Sequence, residues 1–228
     1  MNLIIFGATG GLGRHVSRAA VATGHQATLF VRSPDKLDEP LLSHPLVRVV
    51  QGDVMDGGAV GAASRGAELA INCTSPAGGN AAEDIVGSLV PAAADAGVNA
   101  FYLVGGMGAL WAPGTNRTVL VQDWDDVAAM KKHGLESKIP REVMQRMTRG
   151  HLASMAFMST TGLPNAYVCP GLMVDGPKSE SRVVTLDELG GPAPARVPFA
   201  DIAAVIVDDL SHGALLGHRI CVSPSAAL

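Results

Sequence analysis

The residues best placed to do chemistry come first in the chain. Gly7-Ala8-Thr9-Gly10-Gly11-Leu12-Gly13 follows an apolar run and opens an Ala-rich stretch. A backbone that turns sharply from strand to helix needs glycine for the turn, for close approach to a ligand, and for packing helix on strand. The free N–H groups at such a helix start attract an anion, a pyrophosphate above all. The placement at an N-terminal strand–helix junction is the context that a dinucleotide-binding turn requires. A tight turn without a ligand is the plainer reading of the same glycines.

The residues after the second apolar run bear on which dinucleotide is expected. An acidic residue there would hold the adenosine ribose of NAD. Instead Arg32-Ser33 follows Val31, with Lys36 nearby and Asp35 displaced into the loop. A guanidinium can pair bidentately with a 2′-phosphate and a hydroxyl can add a hydrogen bond, so NADPH (NADP+) is the expected cofactor. The competing reading is a solvated Arg at a strand end. Ligands of open sheets sit beyond the carboxyl ends of the strands. That rule adds Asp53 and Val54 on the adenine side, and Cys73, Thr74 and Ser75 beside the ribose and nicotinamide. Ordinary loop chemistry would explain these five equally well.

The positioning elements alternate. Strands are expected over residues 3–6, 27–31, 47–50, 69–72 and 100–104, and helices over 12–23, 57–65 and 83–96, with loop at 74–80. Strand, helix, strand at this rhythm implies right-handed crossovers and an α/β doubly wound parallel sheet, the Rossmann fold. Later residues are less regular. A long helix is expected over 141–161, a strand over 166–169 ending at Pro170-Gly171, a helix over 202–210 capped by Asp201, and a last strand over 219–222. With no repeat or linker, residues 1–228 read as one domain. The chain after residue 105 would build the pocket wall, and residues 112–140 a lid or insertion.

A short-chain dehydrogenase ordinarily places a Ser after the fifth strand and a Tyr-x-x-x-Lys on the next helix, the Lys lowering the pKa of the proton-donating Tyr. Here Gly105-Gly106 occupies the Ser position, and the only tyrosines, Tyr102 and Tyr167, fall in strand-like stretches with glycine four residues on. The standard acid catalyst is absent. Met144, Met147, His151, Met155 and Met158 recur at helical spacing and share one face. Such a stripe reads as core packing with one satisfied His, or as a pliable wall for a planar substrate with His151 as catalytic contact or proton relay. On the second reading Trp111, Met147, Met155 and Pro170 join His151 around the substrate.

Composition narrows the classes. The 228 residues are 47% hydrophobic and 17% charged, against disorder. A net charge of −4 with no basic run argues against nucleic-acid binding. Mean hydropathy is +0.26, yet no apolar run has the length of a membrane span or the form of a signal peptide. Cys73, Cys169 and Cys221 stand far apart without ligand spacing, so neither disulfides nor a metal site are expected, and a reducing cytoplasm is. Oligomeric state is not legible. Asp123-Trp124-Asp125-Asp126 and Lys131-Lys132 read as a solvated helix, though Trp111 and Trp124 could close over a planar ligand.

Nearly end to end, the chain resembles atypical short-chain dehydrogenases of the NmrA-like, NAD(P)H-flavin reductase group and is similar to biliverdin-IXβ/flavin reductases. The resemblance rests on Ile5-Phe6-Gly7-Ala8-Thr9-Gly10, Val31-Arg32, Gly52-Asp53-Val54, Leu110-Trp111-Ala112-Pro113, the His151 helix ending Thr161-Gly162-Leu163, and residues 196–210. It implies pyrophosphate contacts at Thr9, Gly10, Gly11 and Leu12, a 2′-phosphate contact at Arg32, and nicotinamide-side roles around Gly106 and His151. Two departures stand out: Gly106 replaces the family's Ser, and residues 112–140 are longer. The expected activity is NADPH-dependent hydride transfer to a flavin-like, quinone or other conjugated small molecule, which can take its proton from solvent. A redox sensor that binds NADP without turnover, and an isomerase or cyclase on the same fold, are the alternatives.

Overall fold

The computed structural model describes residues 1–76, 79–111, 114, 116–118, 141–179, 182–188 and 196–224. Strand β1 (Asn2–Phe6) lies between β2 (Gln26–Val31) and β4 (Leu69–Asn72), parallel to both. Outward on one side β2 pairs with β3 (Val47–Gln51). On the other, β4 pairs with β5 (Ala100–Val104), β5 with β6 (Asn165–Val168), and β6 with β10 (Arg219–Pro224), all in parallel. The chain moves out from β1 one way and then the other, so the order reverses between β1 and β4 (order β3-β2-β1-β4-β5-β6-β10). The expected doubly wound sheet is present.

Its continuous apolar strands are explained by burial on both faces. Along β1, Leu3 and Ile5 point into one core and Ile4 and Phe6 into the other. The first core is covered by α1 (Gly11–Ala22) and α6 (Phe199–Asp209). The second lies beneath α3 (Gly57–Ser64), α4 (Ala82–Asp95) and α5 (Arg141–Thr161). A short α2 (Glu39–Leu42) precedes β3.

Three features of the later chain differ from expectation. β8 (Arg182–Leu186) closes the sheet antiparallel to β10, and β7 (Met173–Val174) forms a separate parallel pair with β9 (Val197–Pro198). Asp201 does not cap α6. The helix begins at Phe199 after Pro198, and the fully buried Asp201 carboxylate instead accepts the Ser179 N–H at 2.7 Å and its hydroxyl. Most of the 112–140 stretch expected as a lid or insertion lies outside the described residues.

Candidate functional site

A cleft of about 250 Å³ opens beyond the carboxyl ends of β1 to β4, at the reversal of strand order. Its floor is the glycine turn. Gly7 adopts φ +78°, and a Cβ there would lie 2.9 Å from the backbone of Cys73 and Thr74. A Cβ on Gly13 would lie 2.2 Å from the Gly7 carbonyl oxygen. The turn is thus folded onto both β4 and its own helix, which side chains would prevent. Helix α1 starts after Gly10 with no side-chain cap and no acidic residue in its first turn. Its end N–H groups and dipole are left for an external anion.

Where the chain leaves β2, Arg32, Ser33 and Lys36 border the cleft. Arg32 is exposed, and its carbonyl accepts from Gln51 Nε2 at 3.1 Å. No carboxylate among the described residues pairs with Arg32 or Lys36. Asp35 sits in the tight turn Pro34–Lys36, off the cleft wall.

Of the residues expected around a dinucleotide, Gly7, Thr9, Gly10, Arg32, Ser33, Val54, Cys73, Thr74 and Ser75 line this cleft. Five lie off its wall. The Leu12 side chain is in the core, and the Phe199 ring covers Gly11, where a Cβ would stand 2.6 Å from it. Asp53 turns its carboxylate back to the Met55 N–H at 2.9 Å. Gly105 and Gly106 lie farther along, after β5. Lys36 and Gly52, noted in the sequence beside Arg32 and Asp53, also line the cleft, as do Phe30, Val31, Asn80 and Ile85, which sequence reasoning did not select. Gly52 carried a signal: a Cβ there would meet the Phe30 ring at 2.4 Å, so glycine lets that ring form the wall.

Thr74 and Ile85 also face a second space, of only about 10 Å³, shared with Asn72, His151 and Tyr167. Asn72 Oδ1 accepts from both the Thr74 N–H (3.1 Å) and hydroxyl (2.7 Å), fixing that wall. His151, from α5, lies with Nδ1 3.0 Å from the Tyr167 hydroxyl, the two rings edge to face. Burial lowers the His151 pKa to about 4 and pushes the Tyr167 phenol well up. At neutral pH both are uncharged, so His151 is a poor general acid but a sound hydrogen-bonding group. Gly105 makes the arrangement possible, since a Cβ there would stand 2.4 Å from Tyr167 Cε1. The pairing joins a helix to a strand through tertiary structure, and only the bare Gly105-Gly106 hinted at it.

The model of the NAD(P)H-binding family matches residues 7–213, from the glycine turn to beyond α6. The chain belongs to this family. No curated protein matches the sequence. Solved structures that share the fold include ChuY, an anaerobilin reductase from Escherichia coli O157:H7, with 21% identity over 98% of its length and 99% of this chain at a TM-score of 0.73. A short-chain dehydrogenase/reductase from Veillonella parvula in complex with NADP aligns at 15% identity and TM-score 0.76, covering 99% of this chain and 95% of that one. A Rossmann-fold NAD(P)-binding family protein from Shigella flexneri aligns at 18% and 0.71, over 99% and 94%. The glycine cradle and uncapped helix start of this NAD(P)H-binding chain fit the family's dinucleotide.

Met147, His151 and Met155, expected around a substrate, all project from α5. Trp111 is tied to the sheet edge: its N–H donates to the Asp187 carbonyl, and the Arg219 guanidinium sits 4.1 Å from its ring centre. Pro170 is buried and accepts the Met107 N–H, Met155 packs on the core, and Met147 is half-buried. Among the described residues no group of three or more His, Cys, Asp or Glu could hold a metal, and no helix is long and apolar enough to cross a membrane.

Proposed function

We propose that the protein is an NADPH-dependent reductase that delivers hydride to a flavin-like or other conjugated small molecule without a Ser/Tyr/Lys set. The observation that carries the cofactor choice is the Arg32, Ser33 and Lys36 border of the cleft, where no carboxylate among the described residues pairs with either cation. Two cations and a hydroxyl suit the 2′-phosphate of NADPH, whereas a ribose diol calls for an acidic acceptor. The glycine turn holds the pyrophosphate, and Val54, Cys73, Thr74 and Ser75 flank the rest. Bound NADPH supplies the hydride, and the chain contributes orientation and exclusion of water. A planar acceptor that gains its proton from solvent requires no acidic side chain, consistent with a neutral His151.

The test is oxidation of NADPH followed at 340 nm in the presence of FMN, quinones or linear tetrapyrroles. Acceptor-dependent absorbance loss is expected, with NADH much the poorer donor. Tight NADPH binding with no acceptor reduced would replace this reading by that of a cofactor-binding redox sensor. Conversion of a substrate without NADPH consumption would point to an isomerase or cyclase.

A further inference from the structure

Tyr167 and His151 are both buried, and the standard chemistry of short-chain dehydrogenases has no use for either position. Nδ1 of His151 is engaged by the Tyr167 hydroxyl at 3.0 Å, and no described residue partners Nε2. The imidazole also borders the small cavity whose far wall, Thr74 and Ile85, is shared with the cofactor cleft. At about 10 Å³ that cavity is close to the least space that admits one water, and His151, Asn72 and Thr74 offer such a water polar partners.

We propose that Tyr167 is a positioning residue that fixes His151 as its Nε2–H tautomer, directing a neutral N–H donor through a one-water cavity toward the inner end of the cofactor cleft. The tautomer follows from proton bookkeeping. Ser154, whose side chain also hydrogen-bonds with Tyr167, donates its own Oγ–H to the Gly150 carbonyl at 2.8 Å. Among the described residues the Tyr167 proton then has two acceptors within reach, that hydroxyl oxygen and the imidazole nitrogen. The nitrogen is the stronger base and takes it, so Nδ1 accepts and the ring's own proton resides on Nε2. A neutral imidazole held in this way acts as an electrophilic hydrogen-bond donor rather than an acid.

What the donor is for rests on the reductase reading above. Hydride addition to a conjugated acceptor brings two electrons, and the negative charge collects on an oxygen or nitrogen conjugated to the carbon attacked. An N–H donor, direct or through the water, stabilises that charge without giving up its proton. Water then protonates the anion, and the oxidised dinucleotide leaves. The substrate class this favours is a conjugated carbonyl or imine, the chemistry of quinones and flavin-like rings, over an isolated alkene.

The decisive measurement is a long-range ¹H–¹⁵N correlation spectrum of the histidine rings at pH 7. His151 is expected as a single Nε2–H tautomer whose Nε2 signal moves when NADP+ is added. In Tyr167→Phe the ring is expected to populate both tautomers, and kcat with a quinone to fall roughly tenfold with KM for NADPH unchanged, the effect of one lost hydrogen bond. If Tyr167→Phe does not fold, Gly105→Ala displaces the same ring and is expected to give the same spectral change. An Nδ1–H form in the wild type, or an unaltered tautomer in whichever variant folds, overturns the proposal. The expected tautomer in a protein that reduces no acceptor would refute the reductase reading and leave the role of Tyr167 standing.

Discussion

Replacing Gly13 by alanine sets two effects of similar size against each other. Gly13 is helical, in the first turn of α1, where alanine is favoured over glycine by up to ~1 kcal/mol. The methyl group, however, would stand 2.2 Å from the Gly7 carbonyl oxygen and 2.8 Å from both the Gly7 carbonyl carbon and Ala8 Cα. All three are backbone atoms, so no side chain can rotate away, and the turn must retreat by about 1 Å to restore ordinary contact. Overpacking of this kind costs ~1–3 kcal/mol. The clash wins, and we expect a net loss of about 1–2 kcal/mol, a fall in Tm of roughly 2–8 °C for a domain of this size. The displaced turn should also lose at least one charge-assisted hydrogen bond to phosphate, weakening NADP+ roughly tenfold or more. Gly87→Ala is the control: it is exposed in α4 with open space around its Cβ, so propensity alone acts and stability should rise by ~0.5–1 kcal/mol. Urea denaturation and calorimetric titration with NADP+ read both quantities. A Gly13→Ala protein at least as stable as the wild type, with full affinity, would refute the close packing of turn on helix.

Arg32→Glu should weaken NADPH at least tenfold in a fluorescence titration and leave NADH little changed; equal loss of both would mean a structural role for Arg32. Burial holds the His151 pKa near 4 in the fold, against 6.5 when unfolded. The unfolded chain therefore binds the extra proton between those values, and stability must fall as pH drops through that window, by up to about 3 kcal/mol. Urea midpoints measured from pH 7 to 4 should show this slope, flattened in His151→Gln; parallel curves for the two proteins would contradict the buried neutral ring.

The first half of the fold was legible because its strands are covered on both faces and stand out as unbroken apolar runs between glycine-ended helices. The cleft was legible for a related reason: in such a sheet the residue just past each strand is at the site, so Gly7, Arg32 and Cys73 could be located by counting. Asn80 could not, because its loop folds back by a route that no periodicity records. β8 escaped notice as a short strand whose partner, β10, lies at the far end of the chain. Asp201 looked like a helix cap from its place before Ile202, but the helix had already begun at Phe199. The partnership of Tyr167 with His151 depends on how α5 lies across β5 and β6.

The strand order carries a consequence for synthesis. β6 finds one neighbour, β5, already made, but its other edge waits for β10, so everything from Val168 to Arg219 must be translated first. At ~5–20 residues per second the nascent chain spends several seconds with an unsatisfied apolar edge, the kind of surface on which chains adhere to one another. Poor yield on rapid overexpression, relieved by slower growth or added chaperone, would be the bench-level sign of this late closure.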